Sequence, residues 1–315
     1  MSNAKHLQGG VSLIELMVSL VIGTLLIIGA VSVYMQSRST YRTNDAAARL
    51  QEVARYALDV IEPDVRMAGY WGLTNFAINV VDKAGPLEGT AAVAVGVTND
   101  CGNNWTVDAE HYLDGRDQNS TGYDLDCDGI DPAAGADTLI VRRANANVSA
   151  PSNGRFQIQS NRGIARFVND GTSPLGADPA RTETHDLLVN AYYISNPAGT
   201  GTFALRRQTL NGMTIEDQEI IQGVQDLQVQ FGIDLTGGDN SADQYVNSDA
   251  VPVGAQVVSA RIWLLVVAPD MEVGFEDGTD YAYANAAPGA FSDHRRRLLV
   301  SKTIQIRNST LPPPG

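Results

Sequence analysis

The sequence predicts an α+β protein: a long amino-terminal helix, apolar enough in its first half to span a membrane, packed on a mostly antiparallel β-sheet head. Three observations carry that expectation. Residues Gly9 to Val33 form an apolar run whose one formally charged side chain is Glu15. A helical apolar period follows the run, at Leu50, Ala54, Ala57 and Ile61. The carboxyl-terminal half then changes to a period of two, clearest at Leu227, Val229, Phe231 and Ile233.

The apolar run comes first. At about 1.5 Å per residue, Val11 to Val33 makes a helix of roughly 35 Å, enough for a hydrocarbon core of about 30 Å. A cleaved signal peptide would need a small-residue processing site after the run, and Ala30-Val31-Ser32 fits poorly. A plain signal anchor leaves Glu15 unexplained, because a carboxylate inside a spanning helix costs about 2.5–3.5 kcal/mol on insertion scales. Lys5 lies on the leader side, while Arg38 and Arg42 flank the far side against the positive-inside trend; the short leader nonetheless makes its side the cytoplasmic end.

From Ser37 to Arg66 helix formers continue the same helix, with its apolar stripe facing a head. Pro63 is expected to end or kink it, and Gly69 to cap it. Leu73 to Asp137, rich in Gly, Asn, Asp and Ala, reads as loops and short strands of an insertion. Asp137 to Arg143 is a short strand, and residues 187 to 207 form a hairpin about the Asn196-Pro197-Ala198-Gly199 turn. Leu227 to Ile233 should have one dry and one wet face, Val257 to Ala268 should be a central strand, and Leu298 to Asn308 another strand. Arg295, Arg296 and Arg297 start that last strand on a solvated edge. The organisation expected is a leader over 1–10, a spanning helix over 11–36, its continuation over 37–72, a head over 73–308 and a disordered tail over 309–315.

Composition excludes some functions. Lys+Arg 22 against Asp+Glu 36 gives a net charge of -14, which argues against nucleic acid as a partner, since phosphate binding needs a basic face. His6, His111, His185 and His294 are scattered, and no glycine-flanked nucleophilic serine appears, so no enzyme is indicated. Gly199, Gly201 and Ala204 resemble a dinucleotide loop in spacing alone; a strand follows where a helix would be needed, so they belong to a hairpin turn.

Gly10, Val11, Ser12, Leu13, Ile14, Glu15 and Leu16 resemble the processing site of type IV prepilins. The resemblance implies that a membrane aspartyl peptidase cuts between Gly10 and Val11 and methylates the new amine of Val11. It implies that Glu15 pairs, on assembly, with the Val11 ammonium of a neighbouring subunit. Val11 departs mildly from the family, which most often has phenylalanine there. Tyr41-Arg42, Arg49 to Glu52, Arg55 to Leu58 and Asp64 to Gly72 resemble the large minor pilins of the PilW type, as do the strings from Gly223 to Asp234, Arg261 to Val266 and Arg295 to Asn308. The middle of the chain carries no such likeness.

With the head placed in the periplasm, Cys101 and Cys127 lie in an oxidising compartment, where such a pair usually forms a bridge. Asp124, Asp126, Asp128 and Asp131, with Gly129 between them, have a spacing that lets alternate carboxylates converge on Ca2+. An EF-hand would want glutamate where Gly135 stands, and a solvated acidic loop is the alternative.

By resemblance, this is a pilin-like minor pilin of the inner membrane and then of the pilus, helping to initiate assembly at or near the tip. Its implied partners are the prepilin peptidase, other minor and major pilins, a tip adhesin and the inner-membrane assembly platform. A type II secretion pseudopilin shares the leader; a membrane-anchored periplasmic calcium-binding or adhesive module that never polymerises is a rival of another class.

Overall fold

The computed structural model describes residues 10, 12–74, 79–81, 97, 105–109, 111–117, 132–197, 202–236 and 239–309. The chain divides into two compact units, Met1–Arg49 and Leu50–Gly315. Helix α1, Leu13–Met67, supplies the described backbone of the first unit and the opening of the second. In the first unit its apolar side chains are exposed throughout, Leu13, Leu20, Leu26 and Met35 among them.

In the second unit the helix is amphipathic as expected: Leu50, Ala54, Ala57 and Ile61 are buried, and Val65 extends the stripe. Pro63 does not end it, and the helix continues to Met67. Proline deletes one backbone donor and crowds the preceding turn, but Asp64 and Val65 beyond it are buried in the head and hold the last turn in place. Gly69 then takes φ +74, the left-handed conformation a glycine accepts without cost at a helix end. The sequence divided helix from head at residue 73; the compact unit takes in the helix from Leu50.

Two sheets and a ribbon follow. The larger sheet holds β1 (Val80–Val81), β2 (Leu113–Arg116), β3 (Thr138–Val148), β4 (Asn153–Ser160), β5 (Ala165–Asp170), β6 (Glu183–Ser195), β7 (Ala204–Asn211) and β8 (Thr214–Gln222). Its order is β1-β5-β4-β6-β3-β2, with β7 pairing β6 and β8 pairing β7. Apart from β1 with β5, every pairing is antiparallel. The hub is β6, which meets β3 along one edge and, along the other, β4 at Glu183–Asp186 and β7 at Asn190–Ser195.

The expected hairpin over 187 to 207 is therefore present, but β6 has two dry faces. Leu187, Val189, Ala191 and Tyr193 enter a core with Trp71, Trp105, Phe156 and Phe167. Tyr192 and Ile194 enter the other core, with the helix.

The second sheet, ordered β10-β9-β11-β14, consists of β9 (Val224–Asp234), β10 (Gln244–Asn247), β11 (Gln256–Val267) and β14 (Arg297–Gln305), all antiparallel. Leu227, Val229, Phe231, Ile262 and Leu264 pack against the helix stripe. As expected, β11 is central and β14 an edge. The face of β9 expected to be wet is covered along its first half, where Gln228 is buried and donates to Gly135 O at 2.8 Å and Asp226 accepts from Tyr283 at 2.6 Å, while Gln230 stays half-buried. Over Asp226 the cover comes from the ribbon of β12 (Asp277–Tyr283) and β13 (Ala286–Phe291), whose Tyr281, Tyr283 and Phe291 pack with Leu265, Leu299 and one side of Trp263.

The solvated edge expected at Arg295–Arg297 also needs correction. The Arg297 side chain is buried, its guanidinium 3.7 Å over the Phe291 ring and paired with Asp293. Ser309, assigned by the sequence to the tail, is buried too.

A buried charge fixes the helix to the larger sheet. Asp64, only 5% exposed, accepts from Arg143 Nε at 3.0 Å and Nη2 at 2.7 Å through one oxygen. Its other oxygen accepts from Asn190 Nδ2 at 2.5 Å and the Tyr192 hydroxyl at 2.6 Å. Burial next to this anion pushes the Tyr192 hydroxyl well above the usual tyrosine range. Because removing one partner strands the other charge, Asp64→Ala is expected to cost about 3–5 kcal/mol of unfolding free energy in urea titrations of the full-length protein in detergent, with Asp64→Ala/Arg143→Met recovering part of it. A loss below about 1 kcal/mol, the size of a surface ion pair, would contradict this placement.

A second polar knot holds the 105–112 segment. Arg142, fully buried, donates through Nε to Trp105 O at 2.6 Å and through Nη1 to His111 O. Asp108, also fully buried, accepts from His111 Nδ1 at 2.7 Å. Burial alone would raise the Asp108 carboxyl, but the His111 hydrogen bond and the Arg142 charge outweigh it and hold it below its ordinary value. The bond to Asp108 raises His111, against the opposing effect of burial.

The signs give a window. The raised histidine contributes fully below its unfolded value of about 6.5 and loses its contribution as pH rises through its folded value; the depressed aspartate contributes above about 4 and loses it at lower pH. His111→Gln should therefore reduce the difference in melting temperature between pH 6 and pH 8. An unchanged pH dependence in that variant would sink this assignment.

Candidate functional site

The amino-terminal end of α1 is built from the residues the sequence singled out. Gly10 is exposed. Ser12 O accepts from the amides of Glu15 and Leu16 at 3.0 and 3.1 Å, which starts the helix. Glu15 thus sits in the first helical turn, where a negative charge meets the positive end of the helix dipole.

Ser12 and Glu15 also have the Ser-x-x-Glu spacing of a capping box. Sequence reasoning missed this spacing, although it was in plain view.

Beyond that turn, α1 is long and apolar enough to cross a membrane, and none of the apolar window is buried against the rest of the chain. Its hydroxyls satisfy themselves. Ser19 donates to Glu15 O, Thr24 to Val21 O at 2.8 Å and Ser32 to Ile28 O at 2.8 Å. A backbone carbonyl within the same helix is the partner that lets such groups lie in lipid. Among the described residues of the span, Glu15 is the formal charge left without such internal compensation.

The far end of the helix is placed just as specifically. Gly69 N donates to Arg142 O at 3.2 Å and Ala144 N to Tyr70 O at 2.6 Å, so the turn after α1 runs along β3. A β-carbon at Gly69 would lie 3.1–3.3 Å from the Tyr112 ring, and one at Gly72, φ +85, would lie 2.4 Å from Ser160 Oγ. Trp71 follows into the second core against Phe167, edge to face at 6.3 Å. Asp64, Val65, Gly69, Trp71 and Gly72 of the Asp64 to Gly72 string thus each have a steric or electrostatic reason.

Several residues the sequence proposed lie outside the described residues: Val11, Cys101, Cys127, Asp124, Asp126, Asp128 and Asp131. Among the described residues, no group of three His, Cys, Asp or Glu side chains is placed to hold a metal ion.

The described chain is an apolar amino-terminal helix joined in sequence to an antiparallel head. Residues 5–31 match the prokaryotic N-terminal methylation motif. Residues 191–308 match PilW, the type IV pilus-assembly protein W family, so the expected likeness to PilW-type minor pilins holds over the carboxyl-terminal part of the chain. Among solved structures, the chain is similar to a type IV-like pilin from Thermus thermophilus, at 16% identity and TM-score 0.30, over 57% of this chain and 84% of that one. No curated protein matches.

The tight fit of the turn generates a test. Gly72→Ala combines a strained positive φ with a contact that Ser160 and His185 must yield to, and should cost at least about 1–3 kcal/mol. A melting temperature equal to that of the unmodified protein would show that the turn relaxes freely.

Proposed function

We propose that this chain is a minor pilin that helps initiate type IV pilus assembly and is incorporated at or near the tip. The observation that carries the reading is Glu15, an exposed charge at the start of an exposed apolar helix whose hydroxyls are otherwise satisfied internally. Such a charge gains most from a cation supplied by another subunit. The Val11 ammonium, freed by cleavage after Gly10 and methylated, is the cation the motif provides.

The proposed course begins in the inner membrane with the head in the periplasm, where the prepilin peptidase removes the leader. Other minor and major pilins, a tip adhesin and the assembly platform then act as partners. The family supplies structural subunits, and no catalytic role is proposed. Cys101 with Cys127 as a bridge, and Asp124, Asp126, Asp128 and Asp131 as calcium ligands, belong to the same proposal.

Glu15→Gln keeps the size of the side chain and the capping-box spacing but removes the charge. Terminal mass spectrometry should find the variant cleaved, beginning at methylated Val11, and its recovery in sheared surface fibres should fall about tenfold relative to the membrane fraction, the equivalent of about 1.4 kcal/mol per subunit contact. Normal recovery in fibres would contradict the assembly role and favour an anchored module that never polymerises. A chain beginning at Met1 would contradict the processing.

A further inference from the structure

The outer face of the second sheet carries a constellation that the pilus reading does not use. Residues directly opposite one another on neighbouring strands share a face. One row across the four strands is thus Asn247, Gln230, Arg261 and Thr303. Trp263 and Ser301 face each other in the next row. The Arg261 guanidinium lies 3.8 Å over the Tyr245 ring and 5.9 Å from the Trp263 ring, with Nε donating to Thr303 Oγ1 at 3.3 Å.

The chain makes room for this stack. At Gly232, opposite Tyr245, a β-carbon would come within 3.1 Å of the Tyr245 ring and 2.2 Å of Ser259 Oγ. Ser259 Oγ in turn donates to the Tyr245 hydroxyl at 3.2 Å, which fixes the ring.

The charge on this face runs against that of the chain. With a net charge of -14 overall, the open part of the face presents one cation. The two acids on the same face of β9 lie at its ends: Asp226, half-buried, accepts from the Tyr283 hydroxyl, and Asp234, buried, accepts from the Asn240 amide. Arg261 has no carboxylate within salt-bridge distance among the described residues, and its two Nη nitrogens donate to no protein group there.

A guanidinium placed over a ring, with Nε engaged and both Nη atoms without a partner among the described residues, suits the two oxygens of a carboxylate. The side chains around it are neutral amides and hydroxyls beside the Trp263 ring, which packs on the Leu265, Tyr281 and Tyr283 cluster and is half-buried, its remaining surface suiting hydroxyl groups and the apolar face of a pyranose. One cation in an acidic protein favours a ligand with a single carboxylate in an otherwise neutral stretch over a densely acidic peptide. The open sheet face also suits a residue within an extended chain.

We propose that this face binds a polysaccharide through a uronic-acid residue, its carboxylate on the Arg261 Nη pair and its sugar ring against Trp263. The inference does not depend on the pilus reading.

The test is calorimetric titration of the full-length protein, held in a sugar-free zwitterionic detergent, with a tetrasaccharide of alternating glucuronate and glucose. The same tetrasaccharide with its carboxyls reduced to alcohols is the neutral control. The charged sugar should bind at least about fivefold more tightly than the neutral one, and Arg261→Lys, which keeps the charge but loses the planar fork, should remove most of that preference. A thermal melt confirms that the lysine variant is folded, and Arg261→Gln repeats the comparison without the charge. Equal binding of the two sugars, binding of neither, unchanged preference in the lysine variant, or equal competition by a glutamate-rich peptide would each overturn the proposal. The first three outcomes would leave the ring stack as a support of the sheet alone.

Discussion

A buried carboxylate at the end of a helix is the constraint on which the rest of the head depends. Asp64 cannot be withdrawn from water without donors, and four of them, on Arg143, Asn190 and Tyr192, come from two neighbouring strands of one sheet. Such an arrangement tolerates little slippage: a shift of the helix by one residue would turn the acid away from all three side chains. With its end fixed, the stripe from Leu50 to Val65 meets the second sheet, and the turn at Gly69 to Gly72 is aligned along β3. Hydrophobic burial supplies most of the stabilisation here, while the polar knot selects one register among those that burial alone would allow.

The two units handle charge in opposite ways. In the head, Asp64, Asp108 and Asp226 are covered and met by protein donors. In the apolar stretch of the amino-terminal unit the hydroxyls turn inward to helix carbonyls, and its one acid, Glu15, is left exposed. That asymmetry is what the proposed assembly uses, since a charge completed within its own chain would gain nothing from a neighbour.

Most of the fold was legible where one periodicity dominated. The helix stripe at Leu50, Ala54, Ala57 and Ile61, the central strand β11 and the hairpin of β6 and β7 follow from apolar spacing. Legibility failed where burial was shared between faces or came from distant segments. The Asp226 end of the wet face of β9 was closed by a ribbon fifty or so residues downstream, whose small and polar residues carry no strong alternation. Arg297 looked solvated because a guanidinium stacked on Phe291 cannot be told from a free one by sequence. Pro63 was read by its local cost alone, and tertiary contacts just beyond it outweighed that cost. At the candidate site, Glu15 stood out as a lone charge in an apolar run, and the donors of Asp64 could not be named, because Arg143, Asn190 and Tyr192 lie far along the chain.

The account's central claim is that the helix from Leu50 to Met67 is part of the head's core and not an appendage to it. Native-state hydrogen exchange on the full-length protein in detergent, at increasing sub-denaturing urea, measures this directly. The account predicts that amides of Leu50–Met67 open together with those of β11, at the same free energy and with the same urea dependence. Exchange of the helix at markedly lower free energy than β11 would show that it detaches on its own, and would contradict the claim.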